Sequence, residues 1–329
     1  MYGRPRMGMV DPTPWTGPFF AVFFAFCMTD AGYGLILTLI GALGLIIKGK
    51  ELPRSTKNFI KLILYVCVLT ISAGIMAGSY FGFNPSSVDN PGGLVSLMLK
   101  FKLFDPLDDA LLFFAISVVF GMVQIAIGFG LSAYVKVQEA RNGALKIKEA
   151  ILGLSWILVS LGLCLFILYN LQPDLVEAIN PLALKAILGG VVGIVLGSLV
   201  FGIAGGEGVA ASLGGAFGFD GLYGITGLFG DILSYARILA LGISTGVIAG
   251  VINYLGGMLL GGSVIFAILA GILVIAGHVG YTALSALSAF IHPLRLQYVE
   301  YFGKFYEAGG NDFTPLEKKY DNIEIEKTS

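Results

Sequence analysis

Seven long apolar stretches run along the chain, at 17–48, 57–81, 109–135, 149–170, 181–204, 229–258 and 263–303, separated by charged or Pro/Gly-rich segments. Most exceed the roughly 20 apolar residues that cross a bilayer as a helix. No alternating strand pattern accompanies them, which argues against an outer-membrane barrel. The pattern predicts an all-α, polytopic integral membrane protein. The first stretch is too long for one simple span, and Asp30-Ala-Gly-Tyr-Gly34 interrupts it. An acid and two glycines in mid-run predict a broken helix or two short crossings.

Cation placement predicts the orientation. Residues 48–61 carry five Lys/Arg and 136–148 carry four, whereas 82–108 carry two and 171–182 none. The positive-inside rule puts the two basic segments in the cytoplasm. The C-terminal tail (Lys318, Lys319, Lys327) and the N-terminus (Arg4, Arg6) follow them inside. Both termini on one side require an even number of crossings. We therefore expect about eight transmembrane helices, the first run crossing twice and the last two helices long and tilted. Residues 1–308 form the membrane domain and 309–329 a polar tail. Residues 205–228, Gly-rich and without a cation, read as a cytoplasmic loop or interfacial segment.

Composition agrees with this class: 56% of the 329 residues are hydrophobic and 12% charged, against about 25% charged in soluble domains. The net charge of −1 gives no sign of a nucleic-acid partner. Cys27, Cys67 and Cys164 sit alone in apolar runs, and two histidines are too few for a histidine-based metal site. Neither a metal nor a cofactor is expected. No phosphate loop of the G-x-x-x-x-G-K-[ST] type occurs, so the chain has no ATP site of that kind.

Two cations stand out. Between Lys185 and Lys304 the only basic residues are Arg237 and Arg295, one on each of the last two long helices. An arginine near the centre of a membrane helix costs about 2.5–3.5 kcal/mol on lenient insertion scales. Snorkelling, or pairing with Asp231, is the plain explanation for Arg237. Gly242, Gly246 and Gly250, spaced four apart, form a small-residue stripe that lets another helix approach. At 100° per residue the stripe lies ~140–220° around the helix from Arg237. One side of the helix thus looks built for packing, and the arginine points away from it. On the last helix His278, Thr282, Ser285, Ser288, His292 and Arg295 fall within an arc of roughly 140°. Hydroxyls bonded back to their own helix account for the Ser and Thr. They do not account for two histidines and an arginine on the same face. Titratable groups lined up across a membrane read as an ion path.

LSYARILALGIS (233–244) and HPLRLQYVEYFGKFYEAGGNDFTPL (292–316), with DPTP (11–14) and Asp30-Ala-Gly-Tyr-Gly34, resemble the membrane stator subunit, called a or I, of V/A-type rotary ATPases, in a prokaryotic version. The resemblance implies that Arg237 faces a rotor ring of proteolipid c/K subunits. There it would pair with each arriving carboxylate and make it release its ion, while two offset half-channels couple H+ or Na+ flow to rotation. It implies that Arg295 makes a supporting contact to the ring, with His292 beside it. It also implies a prokaryotic cytoplasmic membrane, contacts with lipid, and peripheral-stalk subunits bound through an N-terminal soluble half that this sequence lacks. Where eukaryotic relatives carry a channel glutamate and a histidine, this chain has Ser285 and Thr245. The half-channel candidates are therefore His278, Ser285 and His292, with Glu207, Asp231 and Glu300 near the cytoplasmic side. A secondary ion transporter and a non-transporting membrane scaffold are the competing readings. The first lacks support because no second broken helix matches the first.

Overall fold

A computed structural model of the chain describes residues 3–6, 9–87, 92–171, 180–206, 208–218, 221, 223–261 and 263–310. The polar tail beyond 310, and Glu207, lie outside the described residues. Helices dominate, in the order α1 (Thr13–Met28), α2 (Ala31–Lys48), α3 (Arg54–Ala77), α4 (Gly93–Phe101), α5 (Ala110–Glu139), α6 (Gly143–Leu171), α7 (Asn180–Leu196), α8 (Val209–Phe217), α9 (Gly224–Leu260) and α10 (Val264–Arg295). Among the described residues, seven helices are long and apolar enough to cross a membrane. The first half of the first run, expected to be an eighth crossing, is Thr13–Met28, a shorter apolar helix of 16 residues. At ~1.5 Å per residue it reaches only about 24 Å.

The expected break falls at Thr29–Asp30. Thr29 takes a positive φ of 29°, an uncommon conformation for a β-branched residue. Its amide still bonds Ala25 O and its hydroxyl bonds Phe26 O. The fully buried Asp30 carboxylate caps α2 through the amides of Gly32 (2.8 Å) and Tyr33 (3.2 Å). It also accepts from the Ser79 hydroxyl and the amides of Phe81 and Gly82, which ties the break to the turn after α3. Here the α3 backbone comes so close that a Cβ on Gly74 would stand 2.1 Å from the Ala31 amide nitrogen. Gly34 faces Cys67 and Ile71, and Gly41 faces Leu64, so α2 and α3 run antiparallel.

α1 supplies much of the core. Phe20 through Met28 are buried apart from Val22, and Phe23 and Phe24 are almost fully enclosed. α3, α5, α9 and α10 pack around it. At one end of the bundle, the proximal end, two short strands join the N-terminal segment to the stretch after α10: β1 (Arg4–Pro5) pairs antiparallel with β2 (Ala308–Gly310). Arg6 reaches Glu307 at 3.5 Å and Glu139 at 3.8 Å, bringing the α5–α6 connection to the same end. The break at Asp30 and the turn at 79–84 lie at the opposite, distal end.

α9 has 37 residues, and α10 continues with its following turns to Lys304 for 41. At ~1.5 Å per residue each exceeds 50 Å, so each must tilt across a ~30 Å hydrocarbon layer or project beyond it. Pro293 interrupts α10. It has no amide hydrogen, and its ring crowds the carbonyl four residues earlier. Beyond Arg295 the backbone widens into a π-helical stretch, Leu296–Tyr301. The wide turn swings Leu296, Gln297, Glu300 and Tyr301 together into the interior.

The glycine stripe on α9 is not one packing face. Gly242 is pressed against Phe113 of α5 and Thr29. Gly246 and Gly250 have open space where a Cβ would stand. The approach of α9 and α10 is instead close at Gly256, opposite Val274, and at Gly277, opposite Ile252.

Candidate functional site

A polar seam follows the α9–α10 pair through an otherwise apolar bundle. At its proximal end Asp231 on α9 pairs with Lys304 at 2.5 Å, both side chains largely buried. Lys304 also lies over the Phe129 ring, 5.5 Å from its centroid. Lys304 borders an open cavity of about 480 Å³ between α5, α6 and the start of α9, with Lys136, Glu149, Tyr223 and Thr226 on its wall. Asp231 is thus engaged by Lys304 and not by Arg237, the partner the sequence suggested.

One turn deeper, the π-helical turn presents Glu300 to Ser234, Asp231 and Arg237. Gln297 accepts from the Gln124 amide of α5, and Gln124 accepts from the Tyr235 hydroxyl at 3.1 Å. Gln124, Gln297 and Tyr235 are completely buried. Gln124 was visible only as a lone amide in the apolar run of α5. Nothing in the linear pattern linked it to Gln297, 173 residues away.

Arg237 is half-buried, within electrostatic range of Cys27, His292 and Glu300. It sits beside the bundle interior and is not turned wholly away from it. Among the described residues, five buried atoms here have no hydrogen-bond partner: Arg237 Nη1, His292 Nδ1, Gln297 Nε2, Glu300 Oε2 and Tyr301 Oη. Buried polar atoms of a native protein are nearly always satisfied by protein, water or ligand. Five orphans in one region mark a place for water, an ion or a charged partner. Arg295 is exposed on the outer face of α10 among Leu287, Ile291 and Val299.

Distal to Arg237, a cavity of about 150 Å³ lies between α1, α9 and α10, lined by Cys27, Ser244, Thr245, Tyr281, Ser285 and Ser288. Ser244 and Thr245 donate to Leu241 O, and Thr282 to His278 O, which is the back-bonding expected of helical hydroxyls. Further out, His278 meets Tyr33 at 2.7 Å and Asn253 at 2.9 Å. The candidates therefore divide. Asp231, Glu300, Arg237 and His292 gather in the proximal half, Ser285 lies midway, and His278 stands near the distal end. Arg295 is exposed on the outer face, within electrostatic range of His292.

These features define an all-α polytopic membrane protein whose interior carries a polar seam with an incompletely satisfied arginine. No protein-family model matches the chain. It is 36% identical over 333 residues to an "A-type ATP synthase subunit I" of Pyrococcus horikoshii, covering 99% of this chain and 46% of that one. It is 32% identical over 348 residues to the protein of that name in Methanocaldococcus jannaschii, covering 96% and 46%. It is 29% identical over 309 residues to a "V-type ATP synthase subunit I" of Borreliella burgdorferi, covering 91% and 48%. By this kinship the chain belongs to the subunit I family of A-type and V-type ATP synthases. It spans about half the length of the curated relatives it matches.

Proposed function

We propose that this chain is the ion-translocating stator of a rotary ATPase or ATP synthase. Arg237 meets the ionised carboxylates of a turning ring of c/K-type subunits, and Arg295 supports the contact from the outer face of α10. The chain sits in a prokaryotic cytoplasmic membrane with its C-terminus inside. Peripheral-stalk subunits bind through sequence outside this chain.

One observation carries the reading. Arg237, with a buried unpartnered Nη1, stands between a proximal group of polar side chains and a cavity on its distal side, an arrangement that supports two separate ion approaches. On the proximal side are Asp231, Glu300 and the cavity beside Lys304. On the distal side are the hydroxyl-lined cavity at Ser285 and then His278. An ion entering from one end reaches the ring beside Arg237, travels round with it, and leaves toward the other end. A guanidinium suits the point of separation because it never deprotonates, so it holds its charge in a low dielectric and cannot carry the proton across itself. A nearby cation favours the ionised form of a carboxylate, which releases its ion on arrival.

Arg237→Ala and Arg237→Lys, in the whole complex reconstituted in vesicles, test this. ATP-driven ion uptake is lost in the alanine variant and falls steeply in the lysine variant, with the subunit still inserted and assembled. Uptake retained by an assembled Arg237→Ala complex overturns the assignment.

A further inference from the structure

His278 is a half-channel candidate, but its neighbours do more than surround it. Asn253 Nδ2 donates to the Phe81 carbonyl at 2.7 Å. A carbonyl only accepts, so the amide is fixed with Oδ1 toward His278, 2.9 Å from its Nε2. Oδ1 also only accepts, so Nε2 must carry the hydrogen. In the neutral ring Nδ1 is then a bare lone pair, and it faces the Tyr33 hydroxyl at 2.7 Å. The backbone of the distal turn thus dictates the imidazole tautomer through one amide.

Tyr33 is equally constrained. It is completely buried. Its ring stands edge-on to Phe81 at 5.3 Å, and 5.8 Å from both His278 and Tyr281. Tyr281 lines the hydroxyl cavity that contains Ser285. The Asp30 carboxylate holds the Tyr33 amide and the 79–82 turn that carries Phe81. The ionisable groups bearing on His278 are therefore Tyr33, by hydrogen bond, and Asp30, at longer range, both from the helix break; α9 contributes the neutral Asn253.

We infer that Tyr33 and Asn253 are positioning residues that hold His278 as its Nε2–H tautomer, so that proton exchange at this histidine passes through the Tyr33 hydroxyl. This rests on the stator reading and deepens it. The Nε2 end is closed by an amide oxygen, which does not relay protons. The Nδ1 end meets a buried hydroxyl, which does. When a proton is delivered to Tyr33 Oη, the hydroxyl passes its own hydrogen to Nδ1. Tyrosine stays neutral and the imidazole becomes imidazolium. Discharge reverses the same transfers through the same door.

Two measurements test it. The chain has only two histidines. In ring ¹⁵N spectra of the whole complex with histidine labelled in this subunit, the signals of His278 are assigned by their loss in His278→Gln. The spectrum should show a protonated Nε2 and a hydrogen-bonded, unprotonated Nδ1. Tyr33→Phe should shift the Nδ1 resonance, and Asn253→Leu should introduce the other tautomer. In vesicles, Tyr33→Phe should displace the pH profile of ATP-driven transport relative to the native complex. A ring protonated at Nδ1 in the neutral native protein, or a Tyr33→Phe complex with unchanged spectrum and profile, overturns the inference. Transport surviving in Arg237→Ala would instead overturn the stator reading, while the tautomer result stands on the spectrum alone.

Discussion

Gly242 and Gly246 are indistinguishable by spacing, yet substituting each with alanine should have unequal consequences. At 242 the new methyl would stand 2.5 Å from Phe113 Cε1, 2.7 Å from its Cζ and 2.8 Å from Thr29 Oγ1. Phe113 cannot easily retreat. It is completely buried, stacked on Phe104 at 5.4 Å and edge-on to Phe26 at 6.0 Å. Overpacking of this kind costs about 1–3 kcal/mol. At 246 no atom lies within 4 Å of the added methyl. Both variants gain the same helical preference of alanine over glycine, about 1 kcal/mol, so that contribution cancels between them. Gly242→Ala should therefore be less stable than Gly246→Ala by about 1–3 kcal/mol. Reversible unfolding of the two purified variants in the same detergent measures the difference directly. Equal stabilities within about 0.5 kcal/mol would refute the argument, because Phe113 would then have yielded at no cost.

Asp30→Asn should destabilise the bundle by about 2–5 kcal/mol, since an amide nitrogen must replace one of two oxygens that together accept five hydrogen bonds, leaving donors facing donors in the interior. A loss under about 1 kcal/mol in thermal unfolding would show that water enters the break and satisfies it. Asp105, in the loop before α5, should contribute an acid-sensitive share of stability. Burial pushes its carboxyl up, but bonds from Lys102, the Leu107 amide and Asn84 outweigh burial and hold it below its ordinary 3.8. A group lowered in the folded state stabilises the protein above its unfolded value, and this is lost as pH falls through the lower folded value. Asp105→Asn should lower thermal stability near neutrality and flatten its decline below about pH 4. An unchanged acid slope would count against the network.

The all-α membrane class was legible because spanning length and apolar content follow from the bilayer, and so was the helix break, which Asp30 and its glycines announce. The polar face of α10 was legible in part. Its spacing grouped His278, Ser285, His292 and Arg295, but the grouping presumed a uniform helix. Pro293 and the widened turn after it change the phase beyond Arg295. That change brings Gln297 and Glu300 inward while Arg295 remains outside. Asp231 was recognised as a candidate, yet its partner Lys304 lies 73 positions away on the other helix, and only their packing joins them.

The sequence by itself determined the solvent this chain lives in, where its helices run and which few charges they carry. Those properties are local: each residue is weighed against hydrocarbon or water wherever its helix goes. The tertiary structure alone decided which polar groups meet. Hydrogen bonds and ion pairs act over about 3 Å, and the residues they join here are often far apart in the chain, as Tyr33 is from His278 across 245 positions. It also decided at which of three equally spaced glycines a side chain would collide with its neighbours, because that depends on what the missing side chain would have struck.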